Sequence, residues 1–168
     1  MVCLYLPKIE FRVILIVIGI PAYNEEKNIA KTVIKLQKFA DKIIVCNDGS
    51  SDLTGEIAGK LGAIVVNHSK NLGYGAGIRS IFQKARELDT DILLTFDADG
   101  QHRIEDIKTV LEPLINNETD IVIGSRFLND KDINVPKYRK IGIKTITNIT
   151  NTSSDLHLTD SQSGFRAY

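Results

Sequence analysis

The chain has 168 residues, of which 43% are hydrophobic and 25% charged, with 21 basic residues against 21 acidic ones. That length allows one domain with a substantial core, and the even balance removes the global positive charge on which binding to nucleic acid or to an anionic membrane surface depends. Cys3 and Cys46 stand in no Cys-x-x-Cys or Cys/His spacing, which argues against zinc or redox work and points to a reduced, cytoplasmic setting.

Taken in order, Met1–Arg12 is an extension with no assigned element, and no small-residue cleavage site directly follows the apolar run Val13–Ile20 that comes after it. Val13–Gly19 is predicted as the first strand, because its apolar run is far shorter than the ~20 residues that cross a bilayer. Glu25–Phe39 is predicted as a helix, capped by Asn24, with Ile29, Val33, Leu36 and Phe39 on one face. Lys42–Asn47 is the second strand. Asp52–Leu61 is the second helix, capped by Ser50 or Ser51 and closed by Gly62. Ala63–Asn67 (strand), Tyr74–Leu88 (helix) and Asp91–Phe96 (strand) follow. Ile104–Ile115 is a helix that places Ile107, Val110, Leu111 and Leu114 on one face, and Asp120–Gly124 is the fifth strand. Asn129–Pro136 reads as a loop and Lys137–Ile149 as a basic, partly apolar helix; Asn148–Ser154, crowded with Asn, Thr and Ser, is assigned no order.

Apolar strands alternating with helices predict an α/β fold: one domain with a mostly parallel central sheet and helices on both faces. In such sheets ligands collect beyond the carboxyl ends of the strands. The segments to inspect are therefore Pro21–Glu26, Asp48–Asp52, Asp97–Gln101 and Ser125–Arg126.

Asp97-Ala98-Asp99 is the sharpest of these. Carboxylates at i and i+2 of an extended chain share one side, so both can approach one cation. Hard oxygen donors suit Mg²⁺ or Mn²⁺, which keep positions open for phosphate oxygens and can offset charge on a departing diphosphate. An EF-hand is excluded, because His102 and Lys108 stand where Gly and Glu are required. In Pro21-Ala22-Tyr23-Asn24-Glu25-Glu26, Pro21 is expected to stop the sheet ladder, Tyr23 offers a ring for stacking on a base, and Glu25 offers an acceptor. Asp48 can reach the same crevice, while Ser51 and Asp52 read as caps. Gly73, Gly75 and Gly77 match no phosphate-loop fingerprint, and close helix packing explains them as well.

Ile-Pro-Ala-Tyr-Asn-Glu-Glu, Asn-Asp-Gly-Ser-Ser-Asp, Asp-Ala-Asp-Gly-Gln-His and Asp-Ser-Gln-Ser-Gly-Phe-Arg, in that order, resemble the inverting family 2 glycosyltransferases of the GT-A, or nucleotide-diphospho-sugar transferase, fold. Within them, the resemblance is to the dolichyl-phosphate mannose synthase and polyprenyl-phosphate glycosyltransferase branch. It implies that Pro21, Ala22, Tyr23 and Glu25 hold the donor's nucleoside and that Asp48 contacts the base. Asp97 and Ala98 would lie near the ribose and diphosphate, Asp99 would be the principal ligand of Mg²⁺ or Mn²⁺, and Gln101 would stand beside it as ligand or sugar contact. Arg126 and Arg139 would contact phosphates, and Asp160 would lie near the reacting centre as base or orienting group.

The implied reaction is attack by a polyprenyl or dolichyl phosphate on the anomeric carbon of a GDP-mannose or UDP-glucose type of donor, with inversion. The implied setting is the cytoplasm, at the cytoplasmic face of a membrane, with peripheral contact through Lys137–Ile149 and no nucleic-acid partner. Relatives continue into acceptor-side helices beyond the position of Tyr168. Two other readings are a nucleotide-sugar-binding domain without turnover and a transferase acting on a sugar hydroxyl. A nucleotidyltransferase is disfavoured because no Gly-rich, Arg/Lys-bearing loop follows the first strand. A haloacid-dehalogenase phosphatase is disfavoured because its Asp-x-Asp follows the first strand, not the fourth.

Overall fold

The computed structural model describes residues 13–99, 102–128, 137–154 and 157–168, with the side chains of 137–140 outside the description. The strands are β1 (Ile16–Ala22), β2 (Lys42–Asn47), β3 (Ile64–Asn67), β4 (Ile92–Thr95), β5 (Val122–Ile123) and β6 (Arg166–Ala167). They form one sheet in the order β3-β2-β1-β4-β6-β5. β3, β2, β1 and β4 are parallel, whereas β6 runs antiparallel between β4 and β5. The helices are α1 (Glu26–Leu36), α2 (Thr54–Lys60), α3 (Tyr74–Glu87), α4 (Ile107–Ile115, preceded by a 3-10 turn at Ile104–Asp106) and α5 (Lys137–Ser154). The mostly parallel α/β sheet expected from the alternation is present. β6 was not foreseen, because Arg166-Ala167 is too short to carry a period.

Both faces of the sheet are covered. Ile29, Val33 and Leu36 of α1, Ala58 of α2, and Ile107, Val110, Leu111 and Leu114 of α4 bury against Ile18, Ile20, Ile43, Val45, Leu94 and Phe96. On the other face Ile81 and Ala85 of α3 pack on Val17, Ile44, Cys46 and Leu93. Each of these large side chains contributes about 1.5–3 kcal/mol when fully removed from water. The strands are apolar on both faces because each face carries a helical layer.

The first strand begins later than its apolar run, at Ile16, where β2 and β4 become available to pair. It also passes through Pro21, which pairs in register with Cys46. The amide of Phe96 reaches the Gly19 carbonyl on the β4 side, and that of Asp48 reaches the Ala22 carbonyl on the β2 side. Backbone alternation therefore turns the Pro21 nitrogen toward β4, beyond the last ladder bond there. Pro21 ends one ladder and leaves the other intact.

The expected caps are also redistributed. Asn24 does not cap α1; it takes a left-handed conformation at φ 54°, and its Oδ1 accepts from the Ser51 amide at 2.9 Å. In return Ser50 Oγ accepts from the Asn24 amide, Thr54 Oγ1 from the Glu25 amide, and Asp52 Oδ2 from the Glu26 amide. The loops after β1 and β2 thus satisfy each other's orphan donors at the helix starts, which no local cap rule anticipates.

Candidate functional site

The chain order β1-β2-β3 runs outward on one side of the sheet, and β4 then starts the other side next to β1. The crevice between the carboxyl ends of β1 and β4 is the topological switch point, where open α/β sheets bind ligands. Ala22 ends β1, Asp48 follows β2 and Asp97 follows β4.

The segment Leu72–Tyr74, which leads into α3, joins these positions. The amides of Leu72 and Gly73 donate to Asp48 at 2.9 and 2.8 Å, and the next residue, Tyr74, donates its hydroxyl to Asp97 Oδ1 at 3.3 Å. Burial alone would raise the Asp48 carboxyl, but these amides and His68 outweigh it and hold Asp48 below the ordinary carboxylate range. Of the glycines here, Gly77 lies against Pro21 and Cys46, where a Cβ would stand 3.6 and 3.8 Å from them. That is close helix-on-sheet packing, not a phosphate cradle.

Asp97 is partly buried, and its Oδ2 lies 2.8 Å from His102 Nε2. The His102 ring is stacked on Phe165, with centroids 5.3 Å apart, and meets Phe96 edge-on. Ala98 turns the other way into the core, and its carbonyl accepts from Thr32 Oγ1 at 3.3 Å. Asp99 is exposed. Ala98 and Asp99 lie in a turn, so the extended-chain alternation expected of the Asp-x-Asp run ends at Asp97. Gln101 lies outside the described residues, as does the side chain of Arg139.

Among the described residues no group of three or more His, Cys, Asp and Glu side chains gathers in a metal-binding cluster. The donor set is instead a pair of carboxylates two residues apart, one partly buried and one exposed. It fits an Mg²⁺ or Mn²⁺ ion that completes its shell with water and phosphate oxygens, and it does not fit a cage built from protein alone.

Arg126 and Asp160 meet each other. Nε and Nη2 of Arg126 donate to the Asp160 oxygens at 2.7 and 2.9 Å, and the Arg126 amide adds a third bond at 3.2 Å. Asp160 is buried, which alone would raise its carboxyl, but Arg126 outweighs this and holds the carboxyl below the usual range. The charge of Asp97 also acts on Arg126. Tyr23 is half-exposed, while Glu25 accepts from Asn28 Nδ2 at 2.8 Å.

Tyr74, His102, His68 and Gly164 were not singled out in the sequence as site residues. Tyr74 opens a glycine-rich helix after β3, His102 ends the Asp-Ala-Asp-Gly-Gln-His run, and Gly164 lies in the Asp-Ser-Gln-Ser-Gly-Phe-Arg run; membership of those two runs was the available signal. A cavity of about 380 Å³ lies at the opposite rim, bordered by Ile14, Asp91, Ile92, Asp120 and Tyr168. None of the candidate residues borders it, so its size does not redirect the assignment.

Several known proteins are similar. A UDP-N-acetylglucosamine–dolichyl-phosphate N-acetylglucosaminyltransferase of Methanococcus voltae is 40% identical over 173 residues, covering 92% of this chain and 69% of that protein. A dolichyl-phosphate beta-glucosyltransferase of Trichomonas vaginalis is 31% identical, covering 89% of this chain and 51% of its own length. Glucosyl-3-phosphoglycerate synthase from Mycobacterium tuberculosis, crystallised with Mn²⁺, UDP-glucose and phosphoglyceric acid, superposes with a TM-score of 0.70 at 20% identity, over 91% of this chain and 55% of that one. The fold is thus that of the GT-A glycosyltransferases. The family profile described as Glycosyl transferase family 2 matches residues 17–168, and the chain belongs to that family.

Proposed function

We propose that this domain transfers a hexose, with inversion, from a nucleoside-diphosphate sugar of the UDP-glucose or GDP-mannose type to a polyprenyl or dolichyl phosphate. The observation that carries the reading is the placement of Asp97 beyond the carboxyl end of β4, linked to Asp48 through the adjacent residues Gly73 and Tyr74 at the start of α3. The names of the relatives support a lipid-phosphate acceptor, and the solved complexes of the similar fold contain UDP-glucose and Mn²⁺.

In this reading Pro21, Ala22, Tyr23, Glu25 and Asp48 enclose the nucleoside. Asp97, Asp99 and Gln101 would hold a divalent ion, with Ala98 between the two carboxylates. Bound there, Mg²⁺ or Mn²⁺ supplies Lewis-acid neutralisation of the leaving diphosphate. His102 and Tyr74 fix the Asp97 carboxylate. Arg126 has five N–H groups, two of which meet Asp160, so the fork retains donors for a phosphate while Asp160 keeps it aimed. Arg139 serves a second phosphate.

An acceptor phosphate is already ionised near pH 7 and needs no strong base. Asp160, with its oxygens engaged and its carboxyl held low, orients Arg126 and does not abstract a proton.

α5 supports a site of action at the cytoplasmic face of a membrane. Ile141, Ile146 and Ile149 are exposed on it, and its sequence carries Lys137, Arg139, Lys140 and Lys144 with no acid, a pattern suited to peripheral contact with anionic lipid. No described helix is long and apolar enough to cross a membrane.

The test is binding of UDP or GDP by the full chain with Mn²⁺ and with chelator. Binding is expected only with the ion, and Asp99→Ala is expected to weaken it by about tenfold or more. Equal binding in chelator would remove the metal from the site.

A further inference from the structure

The hydrogen bonds to Asp48 are unevenly divided. Oδ1 accepts from His68 Nδ1 at 2.6 Å and from the Leu72 amide at 2.9 Å, whereas Oδ2 accepts from the Gly73 amide at 2.8 Å. A carboxylate has about four lone-pair sites, shared equally by its oxygens. Oδ1 is therefore saturated, and Oδ2 keeps one place. The Asp48 side chain is 8% exposed, which suits one further contact. Since a carboxylate only accepts, the shared proton sits on His68 Nδ1. The ring is held from its far side as well, with Nε2 at 2.8 Å from Ser80 Oγ of α3 and 3.7 Å from Cys46 Sγ of β2.

We propose that His68 is a specificity-determining positioning residue: by occupying Oδ1 it leaves Asp48 a single acceptor for the donor's base, and so selects uracil over guanine. This rests on the reading that Asp48 borders the nucleoside. Guanine presents adjacent ring and amino N–H donors on its pairing edge, which ask for both oxygens of a carboxylate. Against Asp48 one of them would meet an oxygen that is already full, and a buried donor left without a partner is costly. Uracil presents one imide N–H. Cytosine and adenine set a ring-nitrogen lone pair beside their amino group, and an ionised carboxylate repels it.

Calorimetric titration of the full chain with UDP and with GDP, each with Mn²⁺, tests the proposal. The wild type is expected to prefer UDP by about tenfold or more, the scale of one unpaired buried donor. His68→Ala reopens Oδ1 and is expected to narrow that ratio to less than about threefold, whereas His68→Asn, whose amide nitrogen stands where Nδ1 stood, restores it. A purely structural role for His68 would weaken both nucleotides together and leave the ratio unchanged. Equal or reversed preference in the wild type overturns the proposal without any variant, and so does a His68→Ala protein that keeps the full ratio. Asp48→Asn separates the underlying reading from this one. Undiminished UDP affinity in that variant takes Asp48 out of the base site altogether, while lost UDP affinity beside an unchanged His68→Ala ratio rejects only the role of His68.

Discussion

Asp97 is packed closely on its Gly164 side while its side chain stays partly exposed. His102 Nε2 and the Tyr74 hydroxyl both contact its carboxylate, and burial followed by the charge of Asp97 raises the Tyr74 hydroxyl well above its ordinary value, so it stays protonated and donates. A Cβ on Gly164 would fall 2.6 Å from that hydroxyl and 2.9 Å from Asp97 Oδ2. Gly164 is therefore a spacing requirement of the site. Gly164→Ala is expected to cost about 1 kcal/mol, the low end of overpacking, because the atoms it displaces are the ends of side chains. Because the displaced atoms belong to Asp97 and Tyr74, it should also weaken Mn²⁺-dependent UDP binding by about tenfold. Thermal unfolding and calorimetry on the same variant check both; unaltered affinity would mean that Asp97 tolerates displacement and is not finely placed.

At the level of elements, the sheet and its helices were legible because their signals are local: the predicted faces of α1 and α4 are the buried ones. The positions of Asp48 and Asp97 just beyond β2 and β4 were legible for the same reason. What holds them was not. Tyr74 is 23 residues from Asp97, His68 is 20 from Asp48 and Arg126 is 34 from Asp160, and no period or spacing rule joins positions so far apart. α5 shows the converse, a polar tract that runs as helix through Ser154. Its Thr145, Thr150, Thr152, Ser153 and Ser154 hydroxyls turn inward to carbonyls four residues back, absorbing the competition that makes such residues poor helix formers. Replacing exposed Thr152 and Ser153 together by Ala is expected to stabilise the chain by about 0.5–1 kcal/mol, the propensity difference for two positions. A fall in the urea midpoint would show instead that the hydroxyls hold the helix end.

For the molecule as a whole, the ionisable groups set a window of stability with a limb at each end. On the acid side Asp48 and Asp160 are pushed up by burial but pulled further down by their donors, so both are held below the ordinary range. Unfolded carboxyls take up protons near pH 3.9, before the folded ones do. The stability from these groups is thus complete above that pH and is lost as pH falls through the lower folded values. On the alkaline side the thiol of buried Cys46 is raised from 9.0 to about 11, chiefly by desolvation and then by the charge of Asp48. The unfolded thiol ionises first there, so its contribution is complete below pH 9 and disappears as pH climbs toward 11. The urea midpoint is expected to be level from about pH 5 to 8 and to fall beyond both sides. Cys46→Ala should shrink the fall between about pH 9 and 10 and leave the acid limb untouched, because among the groups held high by the fold the thiol ionises first in the unfolded chain, from 9.0, ahead of Tyr74 from 10.0 and Lys60 from 10.5. An alkaline limb that the substitution leaves unchanged would assign the loss to Lys60 or to Tyr74, the latter beside Asp97, within the site itself.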